Sequence, residues 1–499
     1  MKKIIFLAVV LSINLLHAQG TTQLQITESA EFKDEISVSS GVLAIHTTSK
    51  GKTGLIRANK NNFLLDVFDN QLNKIFSKII ESDKKESFDG YVSYGDEIKY
   101  ITVLSPNKRE RIVYCNTFNI EKQTYTQKEL FKADVEKGGL FTGRNKRGTN
   151  VAISPNGKFI AIATDNIKKN LNSYKVHVFD SETLKLMFEK SYQEDADNYF
   201  EPNDLFVDDV ATVYPLGKLF ISGKSQSKGG VANYEFVLNK LSKDDSQSLK
   251  ISLDDDLHIS SLAMNYYENK LNLVGFYSNE RAGNIKGGCN FEINTLAFSV
   301  HSKKNKVLPK DVYDDLYGDA KAERHDKKKK ELNSFYVDYI VRDSQGNTFL
   351  LAEEFYTTQT YISTGMNGGG YWTTTFHYDD ILILKFDKTG AINWGRSIFK
   401  RATSPSYNAF LKDDQLHVLL NSGKNLTEKS DGRTKVSKGF FESTALYDFT
   451  YSVDGEVAYN KIQDNKGNNY YMPFYGTFNA DVFIMVSDGV RKKQFMILQ

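Results

Sequence analysis

Residues 335–394 constrain the fold of this 499-residue chain more than any other stretch. Residues 335–341 form a short apolar and aromatic run broken only by Asp338, 342–347 are turn-forming, and 348–352 resume the apolar run. After an insertion, 380–387 form a second pair of runs with 391–394, joined by a turn at Lys388, Thr389 and Gly390. A period of two marks strands, and Gly/Asn/Asp punctuation between short runs marks hairpins. The stretch therefore predicts strand, turn, strand, loop, strand, turn, strand: one four-stranded antiparallel meander.

Similar units lie along the chain. Residues 151–163 form a strand-turn-strand hairpin, followed by 175–180 and 184–188, and weaker copies begin near Ile36, Phe88, Leu205, Ile259 and Tyr407. A last unit, 468–498, lacks one strand. Amphipathic helical runs are nearly absent, and a 13% share of aromatic residues with only 7 prolines suits strands. Repeats of this size predict an all-β propeller of seven or eight four-stranded blades. Residues 23–27 alternate but belong to no unit, so they are expected to pair with the incomplete last one and close the ring, removing two sheet edges. The competing architecture is two smaller β domains meeting near residues 310–331, a polar stretch otherwise read as a solvated, helical linker inserted in a single domain spanning 19–499.

Asp343, Gly346, Asn347 and Phe349, followed by Asp380, Ile381, Lys385, Phe386, Asp387, Gly390 and Trp394, resemble the repeat pattern of secreted bacterial β-propeller proteins. Ser154, Pro155, Asn156, Gly157 and Lys158 are similar to the SPDGK turn of WD40-like and periplasmic propellers. Asp387 to Gly390 before Trp394 is also similar to the tryptophan-docking turns of quinoprotein propellers, one residue short; such turns hold blades together and imply no quinone. The resemblance implies compartment and fold, and no activity.

Lys2 and Lys3, an apolar run over 4–16, and then His17, Ala18 and Gln19 read as a secretory signal cleaved after Ala18. The run is too short to span a bilayer, no later segment is apolar enough to do so, and no Cys stands at the cleavage point for a lipid anchor. The expected product is soluble and periplasmic or extracellular. The precursor's net charge of +2 resides in the leader's two lysines. A neutral mature chain offers no electrostatic footprint for nucleic acid. Cys115 and Cys289 lie in no metal-ligand spacing and read as buried small hydrophobes, with a disulfide between them permitted.

The most unusual stretch is the insertion at 363–380, where Tyr371, Trp372 and Phe376 offer flat faces beside a run of glycines. Long loops on rigid scaffolds often carry binding groups, although a hairpin tip packed on its neighbour would show the same residues. Glu353 and Glu354 precede the insertion and Asp379 and Asp380 follow it, so strand pairing would gather up to four carboxylates. Because consecutive strand residues face opposite sides, one from each pair at most is expected to share a side, and solvated turn carboxylates is the blander reading. The acidic runs at 208–209, 254–256 and 314–315 lack calcium-loop spacing and read as turn chemistry. Lys327 to Lys330, with Arg324 and His325, alternate with acids and read as a solvated face. Histidines are scattered without zinc spacing, and no nucleophile elbow or phosphate loop occurs, so no metal, cofactor or catalytic residue is assigned. The expectation is a non-catalytic binding or scaffold protein that holds a protein, peptide or glycan through loops on one propeller face. The alternative is a hydrolase or lyase acting on polysaccharide with a carboxylate pair.

Overall fold

In the computed structural model, the meander that opens the sequence argument is four strands, Phe335–Arg342, Thr348–Ser363, Gly370–Phe386 and Ile392–Ile398. The structure describes residues 23–33, 41–59, 61–107, 110–134, 150–165, 174–192, 198–223, 225–229, 231–254, 257–267, 270–279, 284–318, 321–323, 330–363, 370–436, 442–479, 481–489 and 492–499; within 359–373 it describes the backbone only. The expected leader therefore lies outside the described residues. Among those described, eight four-stranded antiparallel sheets form an eight-bladed propeller. Blades 1 to 7 begin at Gly41, Glu86, Asn150, Phe200, His258, Phe335 and Tyr407. The two-domain alternative is set aside.

Blades pack on neighbours through both faces, which explains the sequence pattern. Interior strands such as Thr53–Asn59 and Asn62–Phe68 are buried almost throughout, whereas outermost strands such as Lys74–Glu81 and Ser299–Val307 alternate or face solvent. Turns are fixed by side chains that stand in for backbone acceptors. Asp69, Asp208, Asp343 and Asp387 each accept the N–H groups two and four residues on. Gly346 and Gly390 complete two of these turns at φ of 87° and 83°, where a side chain would be strained.

The eighth blade is built from both chain ends. Thr477–Asn479, Val482–Val486 and Phe495–Leu498 supply three strands, and Ile26–Glu28 pairs against the last of them, with Ile26 opposite Leu498 and Glu28 opposite Met496. Backbone bonds extend the seam from Gln25, which exchanges N–H···O bonds with Gln499 at 2.7 and 3.0 Å, to Ser29, which donates to Phe495 at 3.0 Å. The closing strand thus lies slightly further along than residues 23–27, and eight is the blade count.

Neighbouring blades are joined by recurring polar contacts. Lys128, Lys190, Lys240, Lys306 and Lys385 each reach from one blade to carbonyl oxygens at the third-to-fourth-strand turn of the next. The Trp394 indole donates to Val453 O at 2.8 Å in the same way. Tyr174 and Tyr234 each open the third strand of a blade and donate to a carbonyl at the start of the following innermost strand. Cys115 and Cys289 are buried and unpaired, and burial pushes the Cys115 thiol up to about 11.

The stretch 310–331 joins blades 5 and 6 and is partly helical, but it is not wholly solvated. Lys310–Tyr317 is a helix whose Val312 and Leu316 are buried against the outer part of blade 6. Residues 324–329, which hold most of the basic run, lie outside the described residues. No described helix is long and apolar enough to cross a membrane.

By the alternation of bonded pairs, Thr27 exchanges backbone hydrogen bonds with Ile497. Thr27→Pro removes one of them and should lower stability by about 2–3 kcal/mol in urea denaturation, whereas exposed Thr27→Val should stay within about 0.5 kcal/mol. Equal stability of both variants would contradict ring closure by this strand.

Candidate functional site

Strand alternation in a meander puts the second-to-third-strand hairpins and the blade-to-blade connections at one end. All the extra structure among the described residues is found there. Short paired segments decorate blade 4 (Ser227–Lys228 with Val231–Ala232), blade 5 (Asn284–Ile285 with Leu332–Asn333), blade 7 (Thr427–Glu428 with Thr434–Lys435) and blade 8 (Phe32–Lys33 with Lys492–Lys493). In blade 6 the expected loop is instead an arm, because the two middle strands run on in register from Phe355 opposite Tyr378 to Ser363 opposite Gly370. A high content of Thr and aromatic residues, which favour extended backbone, accounts for the extension.

On the arm, Phe355 packs on Tyr378 at 4.8 Å between ring centroids, and its ring is nearly parallel to that of Phe376. Phe376 is 50% exposed. Tyr356 stacks on His377 at 4.5 Å, and His377 also meets the Thr358 hydroxyl at 2.8 Å. The backbone pairing sets Tyr371 opposite Ile362 and Trp372 opposite Tyr361. The side chains of Tyr371 and Trp372 lie outside the described residues.

The arm's root gathers the four carboxylates, though not as strict alternation predicts. The register shifts between Glu353 and Phe355, so Glu354 alone faces both Asp379 and Asp380. This is a β-bulge, which re-aims side chains at the point where the ladder slips. Glu353 is 1% exposed and forms an ion pair with Lys400 at 2.8 Å; the Lys400 amine also donates to Tyr378 O at 2.7 Å. The Lys400 backbone N–H donates to Asp380 at 3.1 Å, and Ala402 exchanges backbone bonds with Tyr378. Asp379, 7% exposed, accepts a hydrogen bond from the Tyr356 hydroxyl at 2.9 Å. Glu353 and Asp379 are therefore buried and partnered, which corrects the solvated-turn reading.

The electrostatics follow from crowding and burial. Burial, then the neighbouring Glu354, pushes Asp380 up to about 8, so this carboxyl keeps its proton at neutral pH. Burial and Asp379 raise Glu354 as well. Burial and its bond to Asp379 push Tyr356 up to about 12, and Tyr317, at the end of the helix, reaches about 12 through burial and the charges of Asp380 and Glu354. Burial lowers Lys400, with Glu353 pulling it back. Among the described residues no three His, Cys, Asp or Glu side chains are grouped to hold a metal ion.

Beside Lys400 and Arg401 opens a cleft of about 290 Å³, walled by Ser406, Asn421, Tyr470 and Phe474 from blades 7 and 8. The sequence offered no signal for Lys400, which lies 47 residues from its partner Glu353. Tyr356 was legible in principle, two positions after Glu354 on a strand.

No family model matches the chain, and no curated protein matches it. Solved structures that resemble it include the Dos1 propeller (9% identity over 94% of this chain and 95% of that one, TM-score 0.45). A prolyl endopeptidase is 8% identical over 91% of this chain (TM-score 0.43), and this chain spans only 55% of its length. An oligogalacturonate lyase from Vibrio parahaemolyticus is 8% identical over 96% of this chain and 97% of that one (TM-score 0.41). At these values the likenesses say nothing about chemistry.

Two outcomes test the site's electrostatics. Lys400→Met strands a buried carboxylate and should cost about 3–5 kcal/mol, most of it recovered when Glu353→Leu is added; a double variant no better than the single would refute the pairing. Asp380 is protonated more readily folded than unfolded, so its ionisation penalises the fold progressively between about 4, its ordinary value, and about 8. Asp380→Asn should therefore be the more stable chain at neutral pH. Its advantage, of about 2 kcal/mol after allowing for partial solvent access, should grow from pH ~4 to ~8 and level off above. A pH-independent difference in melting temperature would contradict this.

Proposed function

We propose that the protein is an exported, non-catalytic binding or scaffold protein of the periplasm or cell surface, engaging a peptide, protein or glycan through the decorated propeller face. The concentration of every described insertion on one face carries this reading, since a rigid ring presenting variable arms is built for recognition. Two further observations support it. Phe376 and Tyr356 present aromatic surface on the arm, and Glu353 and Asp379 are engaged by Lys400 and Tyr356 rather than free in a cleft. The leader at 1–18 supports export, and the resemblance of blade 6 to secreted bacterial propeller repeats agrees with it.

One observation favours a second reading, a hydrolase or lyase acting on polysaccharide. A carboxyl held near 8 beside other carboxylates has the character of a general acid, and Asp380 is such a group. Reducing-sugar or unsaturated-product release from a polysaccharide panel, abolished by Asp380→Asn, would favour this reading over binding alone.

The binding reading predicts that a glycan array or peptide library probed with the mature chain yields ligands. Replacing residues 357–376 by an Asn-Gly turn should weaken them at least tenfold while leaving the melting temperature nearly unchanged. Undiminished binding by the armless chain would overturn the assignment to the arm. Export predicts that the protein recovered outside the cytoplasm has the mass of a chain beginning at Gln19.

A further inference from the structure

The cleft beside the arm's root is a trough across the decorated end of blade 7. One wall is the connection after Ile398, where blade 6 passes to blade 7, and the other is the connection 465–476, where blade 7 passes to blade 8. Ala402, on the first wall, exchanges backbone bonds with Tyr378 at the arm's root, so a chain leaving the cleft on that side meets the arm.

The charge in the cleft has one sign. Its described lining holds Lys400 and Arg401 and no carboxylate. The Lys400 amine is spent on Glu353 and Tyr378 O. Arg401 is exposed, and although Glu354 and Tyr356 feel its charge, no hydrogen bond or ion pair engages its guanidinium among the described residues. Thr403 and Ser404 follow on the same wall, also exposed, and neither their N–H groups nor their hydroxyls have a partner among the described residues. A guanidinium beside free backbone N–H groups is a donor set that holds a carboxylate. Burial, then the charge of Asp488, raises the Tyr470 phenol on the opposite wall, so an anion is favoured at the Arg401 side.

The rest of the cleft offers a ligand little polarity. The Asn421 and Ser422 side chains between the walls are already bonded: Asn421 donates to Tyr471 O at 2.9 Å and accepts from Asn465 at 2.8 Å, and the Ser422 hydroxyl donates to Val436 O at 2.7 Å. Met472, Pro473 and Phe474 form the far wall. The volume of about 290 Å³ takes about 12 heavy atoms, at the ~25 Å³ each of benzene in a cavity of ~150 Å³. A terminal amino acid as large as phenylalanine has that size, carboxylate included. A uronate ring is of similar size, but its several hydroxyls would face Met472, Pro473 and Phe474 without partners.

We propose that this cleft binds the free C-terminus of a peptide, its carboxylate on Arg401 and the Thr403 and Ser404 N–H groups and its apolar last side chain against Met472 and Phe474. This rests on the binding reading of the decorated face and names its ligand class, peptide C-termini.

Fluorescence anisotropy on the mature chain tests it with N-terminally labelled hexapeptides ending in Phe, Leu, Asp or Lys, each as free acid and as C-terminal amide. At least one apolar-ended acid should bind saturably, with its amide and the Asp- and Lys-ended acids about tenfold weaker or more. Arg401→Gln, at an exposed position, should melt with the parent, weaken the acid about tenfold and leave the amide as it was, so that the two converge. Met472→Gln should instead weaken acid and amide alike. The proposal is overturned if no apolar-ended acid binds saturably, if the amide binds equally well, if Arg401→Gln keeps the preference for the acid, or if unlabelled trigalacturonate displaces the peptide as well as the unlabelled acid does. Array ligands that are lost with the arm, found together with any of these results, would leave the binding reading standing and remove only the C-terminal assignment; no ligand in either experiment would remove both.

Discussion

Ring closure between Gln25–Ser29 and Phe495–Gln499 is the constraint on which the other contacts depend. Among the described residues, every other pairing within the four-stranded sheets joins segments close in sequence, whereas this seam, like the Phe32–Lys493 pairing beside it, joins residues more than 460 apart. Its consequence exceeds its hydrogen bonds. Phe32, Ile45, Leu55 and Phe68 of the N-terminal region pack with Ile484, Val486 and Phe495 in one apolar cluster, which exists only while the first and last blades are adjacent. An open ring would expose that cluster and leave sheet edges ready to pair with another chain. The Ser29 hydroxyl fastens the seam further by accepting the Phe495 N–H at 2.9 Å.

Within the closed ring, apolar burial is non-directional and does not fix how one blade is positioned against the next. The lysine contacts supply direction. The buried Lys385 and the half-buried Lys190 and Lys240 must find acceptors, the more exposed Lys128 and Lys306 make the same contact, and the turn carbonyls of the following blade supply it. This explains a composition that looked uninformative, with Lys and Arg nearly balancing Asp and Glu. Many of these charges serve turns and blade junctions, so near-neutral net charge carries little information about partners.

Much of the fold was legible because its signals are local. Alternation and turn residues mark blades 3 and 6 within a strand or two, and the missing strand of the last unit pointed to the chain's other end. The site was less legible because its decisive features are not periodic. A single extra residue between Tyr378 and Ile381, where Asp379 and Asp380 together oppose Glu354, breaks the parity that assigned each carboxylate a side, and no pattern in the sequence announces it. Lys400 follows the end of a strand, where nothing distinguishes it from the solvated lysines around it, yet it is 3% exposed. Helix was expected in 310–331, but the docking of Lys310–Tyr317 was obscured by the polar residues around it, since its two buried positions, Val312 and Leu316, make a stripe only one turn long.

The arm's root also shows why crowded carboxylates need not signal catalysis. Placing Glu354, Asp379 and Asp380 together would be strongly repulsive if all were ionised. The structure relieves this without a metal ligand set among the described residues: the Lys400 amine balances Glu353, the Tyr356 hydroxyl bonds Asp379, and Asp380 holds its proton. Lys400 ties the root to the 399–402 connection through Glu353, Tyr378 and Asp380, and the Tyr356–Asp379 bond braces the arm's two strands against each other. A two-stranded arm is marginal alone in water, so its root must be held from several sides. The same groups that could supply an acid are thus the groups that fix the arm to the ring, and the positioning role accounts for their burial without requiring a substrate.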